Sequence, residues 1–87
     1  NHEQELLWME RAVVKYEALY ESYTDPVDTG IPEDVLLLRL ADLYAVLERT
    51  SEARTWYSII FQSKTASDRI KKDARQHWEL YREQHDL

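Results

Sequence analysis

Between Pro32 and Glu48 the chain carries Val35, Leu36, Leu37, Leu38, Leu40, Ala41, Leu43, Tyr44, Val46 and Leu47. At 100° per residue these positions go nearly all the way round a helix. A helix that faces a single core needs an apolar stripe only about 100° wide. A helix apolar on almost every side has to be covered by several others, so the chain must supply those neighbours. With one glycine and two prolines in 87 residues, it has few turn residues, and short helix-to-helix connections are expected. The fold class that follows is all-α, and the length allows one domain, residues 1–87.

Three further helices are predicted. From Glu3 to Tyr23, one face gathers Leu6, Trp8, Met9, Ala12, Val13, Tyr16, Leu19, Tyr20 and Tyr23. That arc is wider than one neighbour requires, and Leu7 and Val14 fall outside it. Thr24-Asp25-Pro26 is expected to stop this helix, because a residue before proline is pushed out of the α region. The segment Pro26 to Ile31, with Gly30, reads as the longest loop. Pro32 suits the first turn of the second helix, and Glu33 and Asp34 suit its positive end. Thr50 or Ser51 is expected to cap a third helix with Ala53, Trp56, Tyr57, Ile60 and Phe61 on its inner face. Thr65 or Ser67 is expected to cap a fourth, on which Ile70, Ala74, His77, Trp78, Tyr81 and His85 line up. This last helix is polar on most of its circumference and reads as the outer cap of an array. Of the three tryptophans, Trp56 is expected to be the most buried and Trp8 the least.

The middle of the chain reads Leu37-x2-Leu40-Ala41-x2-Tyr44-x8-Ala53-x3-Tyr57-x2-Ile60. It resembles one full tetratricopeptide repeat, in which small residues let two helices approach closely and aromatic residues fill the volume beside them. Arg49 stands where that pattern often has a turn glycine, and Thr65 where it often has proline. Half repeats flank it at Ala12-x3-Tyr16 and around Trp78. The resemblance implies a four-helix antiparallel array of helical hairpins. Over residues 3–83, the runs Ala12 to Tyr23, Leu37 to Tyr44, Glu52 to Ile60 and Ala74 to Trp78 are similar to the C-terminal region of an uncharacterised bacterial family, a domain of unknown function. Tyr57 stands at that family's motif Phe, and His77 separates Gln76 from Trp78. This resemblance implies that members carry a cysteine-rich, zinc-binding part ahead of the domain, and it implies no activity. Because the chain opens on Asn1, it is expected to be a fragment of a longer protein.

Charge and chemistry narrow the function classes. A net charge of −6 argues against general nucleic-acid binding, which depends on lysine and arginine at phosphates. Residues 1–34 hold nine acids and two bases, residues 35–87 eight acids and nine bases, so the acidity is concentrated in the first part. There are no cysteines, and apolar runs such as Val35 to Leu38 are far too short for a membrane span. A cytoplasmic location, no cofactor and no membrane partner are the expectations. His77 and His85 are eight residues apart, without the close ligand spacing of a zinc pair, so no metal site is expected. They read as edge residues of the cap helix, with Asp73 as a surface partner of His77. Ser22, Ser51, Ser58, Ser63 and Ser67 lie at no strand-to-helix elbow, and the chain is read as not an enzyme.

The leading expectation is therefore a non-enzymatic protein-interaction module for a protein or peptide. Arg39, Asp42, Lys71 and Arg75 are the candidate residues on a concave face made by the second and fourth helices. Lys71, Arg75 and Arg82 beside Trp78 form a candidate anion stripe on the fourth helix. The alternative is a structural role, in which the first helix packs against its own protein or a second copy through Leu7 and Val14, giving a homodimer.

Overall fold

The helix with apolar residues on all sides is the centre of the molecule. A computed structural model describes residues 2–23 and 30–87, and among these are four helices. They are α1 (His2–Glu21), α2 (Glu33–Val46), α3 (Thr50–Gln62) and α4 (Asp68–Gln84). α2 packs against all three others, and α3 also packs against α4. The expected stop at Thr24-Asp25-Pro26 and most of the loop Pro26 to Ile31 lie outside the described residues.

The core is what an all-round apolar helix and two one-sided ones generate. α2 supplies Leu36, Leu37, Leu40, Ala41 and Tyr44, α3 supplies Ala53, Tyr57 and Ile60, and α4 supplies Ile70, Ala74 and Tyr81. Ala41 and Ala53, the small residues of the repeat spacing, are wholly buried, as is Ala74 of α4, so all three sit at close contacts. α1 differs. Val13 is its one buried residue, and the rest of its apolar arc is partly or largely exposed.

α1 is joined to the other helices by a few named contacts. Tyr20 meets Trp56 of α3 edge to face, with ring centroids 5.3 Å apart. The Tyr44 hydroxyl donates to the Glu17 carboxylate, and Arg49 reaches Glu10 at 2.8 Å. Burial first, and then this bond to Glu17, push the Tyr44 phenol from its ordinary 10 up to about 12. Tyr23 closes the far end by donating to the carbonyl of Ile31 at 3.1 Å.

The helix ends follow local chemistry, with two departures from expectation. Ser67 caps α4, its hydroxyl accepting from the amide of Ile70 at 3.2 Å. α3 has no such cap. Arg49 takes the N-cap position without a side-chain hydrogen bond, and the hydroxyl of Thr50 pairs instead with that of Tyr81 at 2.6 Å. At the end of α2 the residue in the left-handed conformation is Glu48, at φ 59°, rather than its neighbour Arg49. The Arg49 amide bonds back to Tyr44 and the Glu48 amide to Ala45, which is the double bond of a Schellman turn. The turn thus adopts the usual glycine conformation with a glutamate in it. At the C-terminus of α4, Asp86 is likewise left-handed at φ 55°, and the Leu87 amide bonds back to the Arg82 carbonyl at 3.0 Å.

Candidate functional site

α2 and α4 meet around Asp42. Arg39, Asp42 and Val46 recur at spacings of three and four on α2, so they share the side facing away from the buried leucines. On α4 the residues at the matching spacing are His77, Leu80 and Gln84. Asp42, Val46, His77, Leu80 and Gln84, with Glu48, Tyr81 and His85 at one end, line an open cleft of about 400 Å³. Its floor is polar and fixed. The hydroxyl of Tyr57, from a side chain only 1% exposed, donates to Asp42 Oδ1 at 2.5 Å. His77 Nδ1 lies 3.0 and 3.1 Å from the two Asp42 oxygens. Burial, then the hydrogen bond and charge of Asp42, push the Tyr57 phenol above its ordinary range, so it stays a donor.

The rim is apolar and open. Val46 is 56% and Leu80 54% exposed, one on each helix. At the cleft's end His85 stacks on Tyr81 with centroids 4.0 Å apart, and its Nε2 lies 3.6 Å from Glu48. Two histidine–carboxylate pairs thus link α4 to α2 and its turn. Asp42, not Asp73, is the carboxylate that His77 meets, which corrects the partner expected for it. Among the described residues, no three histidine, cysteine, aspartate or glutamate side chains gather as a metal-binding group. No helix among them is long and apolar enough to cross a membrane.

The other candidates are distributed as follows. Arg39 is exposed on the same side of α2 as Asp42, and neither Lys71 nor Arg75 is hydrogen-bonded to Asp42. Lys71, Arg75, Trp78 and Arg82 follow one another along a different flank of α4, the flank that carries Trp78 toward α3. There Arg54 of α3 lies over the Trp78 ring at 5.8 Å, a base that the sequence reading of the stripe did not include. Trp78 is partly buried, tilted against Tyr57 and stacked on Tyr81, so packing takes up part of its surface. Leu7 and Val14 are 48% and 70% exposed, and Trp8 is more open than Leu7 at 68%.

Leu80 is the cleft residue that helix periodicity does not mark, while Val46 and His77 fall on predicted helix faces without being marked as site residues. Their signal was present on each helix separately, as a valine four residues after Asp42 and a leucine three after His77. Only the register between the helices makes them neighbours.

A family model described as "Uncharacterized protein conserved in bacteria (DUF2225)" matches residues 1–81. No curated protein and no solved structure matches the chain.

Proposed function

The chain belongs to this uncharacterised family conserved in bacteria, and we propose that it is a cytoplasmic, non-enzymatic protein-interaction module of tetratricopeptide type. In this reading α2 and α3 form an antiparallel repeat hairpin, and the face between α2 and α4 receives a peptide or helix. The observation that carries it is the pairing of exposed Val46 and Leu80 across a cleft whose floor is held by Tyr57, Asp42 and His77. Apolar side chains at a fixed spacing, beside polar groups already oriented, suit recognition of an apolar side chain on a partner.

Peptides selected from a displayed random library provide the probe. Those that bind the wild type are expected to weaken at least about tenfold against Leu80→Glu, because a buried unpaired charge costs well over 1.4 kcal/mol. They are expected to bind Leu7→Glu unchanged. Absence of any enriched peptide, or binding indifferent to Leu80→Glu, overturns the reading.

A second reading, a structural role through α1, is favoured by the exposure of Leu7, Trp8 and Val14.

A further inference from the structure

α1 has a flank on which Glu5, Trp8 and Lys15 are exposed, and that flank is self-complementary. Glu5, Trp8, Ala12, Lys15 and Leu19 recur at spacings of three and four, so they form one seam along the helix. It is distinct from the side that carries Val13, Glu17 and Tyr20 to α2 and α3. Trp8 stands out from the seam at 68% exposed. A hollow of about 250 Å³ lies over Ala12, bordered by Trp8, Arg11, Lys15 and Tyr16. A large side chain and a hollow thus sit four residues apart on the same helix face.

The charges along the seam are ordered too. Glu5 lies three residues before Trp8, and Lys15 three after Ala12. Neither forms an ion pair among the described residues. The acids Glu10 and Glu17, by contrast, are turned toward Arg49 and Tyr44 and do not border this flank.

We propose that this flank of α1 pairs antiparallel with the same flank of a second copy of the chain, Trp8 of each copy filling the hollow over Ala12 of the other. The proposal rests on the structural reading of α1 and replaces Leu7 and Val14 by the Trp8 seam as its contact. An antiparallel two-fold centred near Glu10 sets residue 5 opposite residue 15 and residue 8 opposite residue 12. Each Trp8 then meets an alanine, and each Glu5 meets Lys15 of the second copy, twice over by symmetry. A parallel pairing sets Glu5 on Glu5 and Lys15 on Lys15, and brings the two tryptophans into collision. Charge order and side-chain size therefore select the same orientation.

The test is sedimentation of the chain over a hundredfold concentration range, with helix content followed by circular dichroism. Wild type is expected to dimerise, and Trp8→Ala to remain folded and monomeric. Glu5→Lys and Lys15→Glu should each raise the dimer dissociation constant roughly tenfold, since two opposite-charge rim contacts become like-charge ones. Mixed in equal amounts, these two variants should associate again, because both mixed contacts pair lysine with glutamate. A dimer that ignores Trp8→Ala and both charge variants but is lost in Leu7→Glu with Val14→Glu overturns the seam and leaves the structural reading standing. A wild type that is folded and monomeric throughout overturns both. Two weakened variants that fail to associate on mixing overturn the antiparallel register.

Discussion

α1 and the body formed by α2, α3 and α4 are built from similar material, yet their apolar residues have different fates. In the body, Leu36, Leu40, Ala41, Ala53, Ile60 and Ala74 are all at 0% exposure. On α1 only Val13 reaches comparable burial, at 3%, while Trp8, Leu7 and Val14 face outward. The difference lies in the number of neighbours rather than in the helix itself: α2 has three packed partners, and α1 rests mainly on α2. An apolar arc records how much surface a helix is able to bury. How much it does bury is set by what stands opposite.

The sharpest way to break this contrast is a matched pair of truncations. Leu40→Ala in the body should cost about 2–5 kcal/mol, because the close-packed surroundings collapse only partly into the space left. Trp8→Ala removes a larger side chain and should move the stability of the monomer by no more than about 0.5 kcal/mol. Chemical denaturation at low protein concentration checks both. Comparable losses in the two variants would erase the distinction between the regions.

Next in size is overfilling. Ala41→Leu should destabilise by about 1–3 kcal/mol, since Ala41 is wholly buried at the contact of α2 with its neighbours. An unchanged melting temperature would mean that the body yields as readily as α1. This prediction uses a residue that the repeat spacing marked in advance, and it shows where sequence was informative. Small residues at fixed intervals, an all-round apolar helix and a serine before Asp68 are local signals, and the helices, most of the core and the Ser67 cap were legible from them.

What was not legible depends on register between helices. Asp42 and His77 are 35 residues apart, and nothing local says that they touch. The arc on α1 likewise does not say which part of it turns inward, so Trp8 was grouped with Val13 although it lies outside. Glu48 was passed over at the turn because a glutamate gives no sign of the left-handed conformation that the chain imposes on it.

A third effect sits at the junction of the regions. Tyr44→Phe removes the hydroxyl bond to Glu17 and should cost about 0.5–1.5 kcal/mol. The same group sharpens the comparison through pH. Its folded value is raised above the ordinary 10 to about 12, so folding favours the protonated phenol. Its contribution is complete below pH 10 and is lost as pH rises from 10 through about 12. Tyr57, shifted in the same direction, adds to this loss. Alkaline unfolding curves should therefore be steeper for wild type than for Tyr44→Phe, and equal slopes would detach Tyr44 from the effect.

Within the body itself, Glu48→Gly should stabilise by about 0.5–1 kcal/mol, because glycine adopts the left-handed turn without steric cost and only its greater unfolded freedom opposes the gain. The contact given up, 3.6 Å from His85 to a carboxylate 76% exposed, is a weak one. A lower melting temperature in this variant would show that the link from α2 to α4 at the cleft's end outweighs the backbone strain.

The smallest effect is expected where α1 is tied to the body by charge. Arg49 reaches Glu10 at 2.8 Å, but the two side chains are 45% and 49% exposed, and water competes for both. Exposed pairs of this kind couple by about 0.2–1 kcal/mol, and salt screens them over about 10 Å at 0.1 M. A double-mutant cycle of Arg49→Gln and Glu10→Gln should give a coupling in that range that shrinks as salt is raised. If α1 is seated by Val13 and by the edge of Tyr20 on Trp56, removing the charge pair leaves that seat intact. A coupling of about 2 kcal/mol or more, insensitive to salt, would be the behaviour of a desolvated pair. It would mean that charge rather than apolar contact positions α1, and that the exposure of its apolar flank is imposed by the Glu10–Arg49 link instead of by the lack of a neighbour.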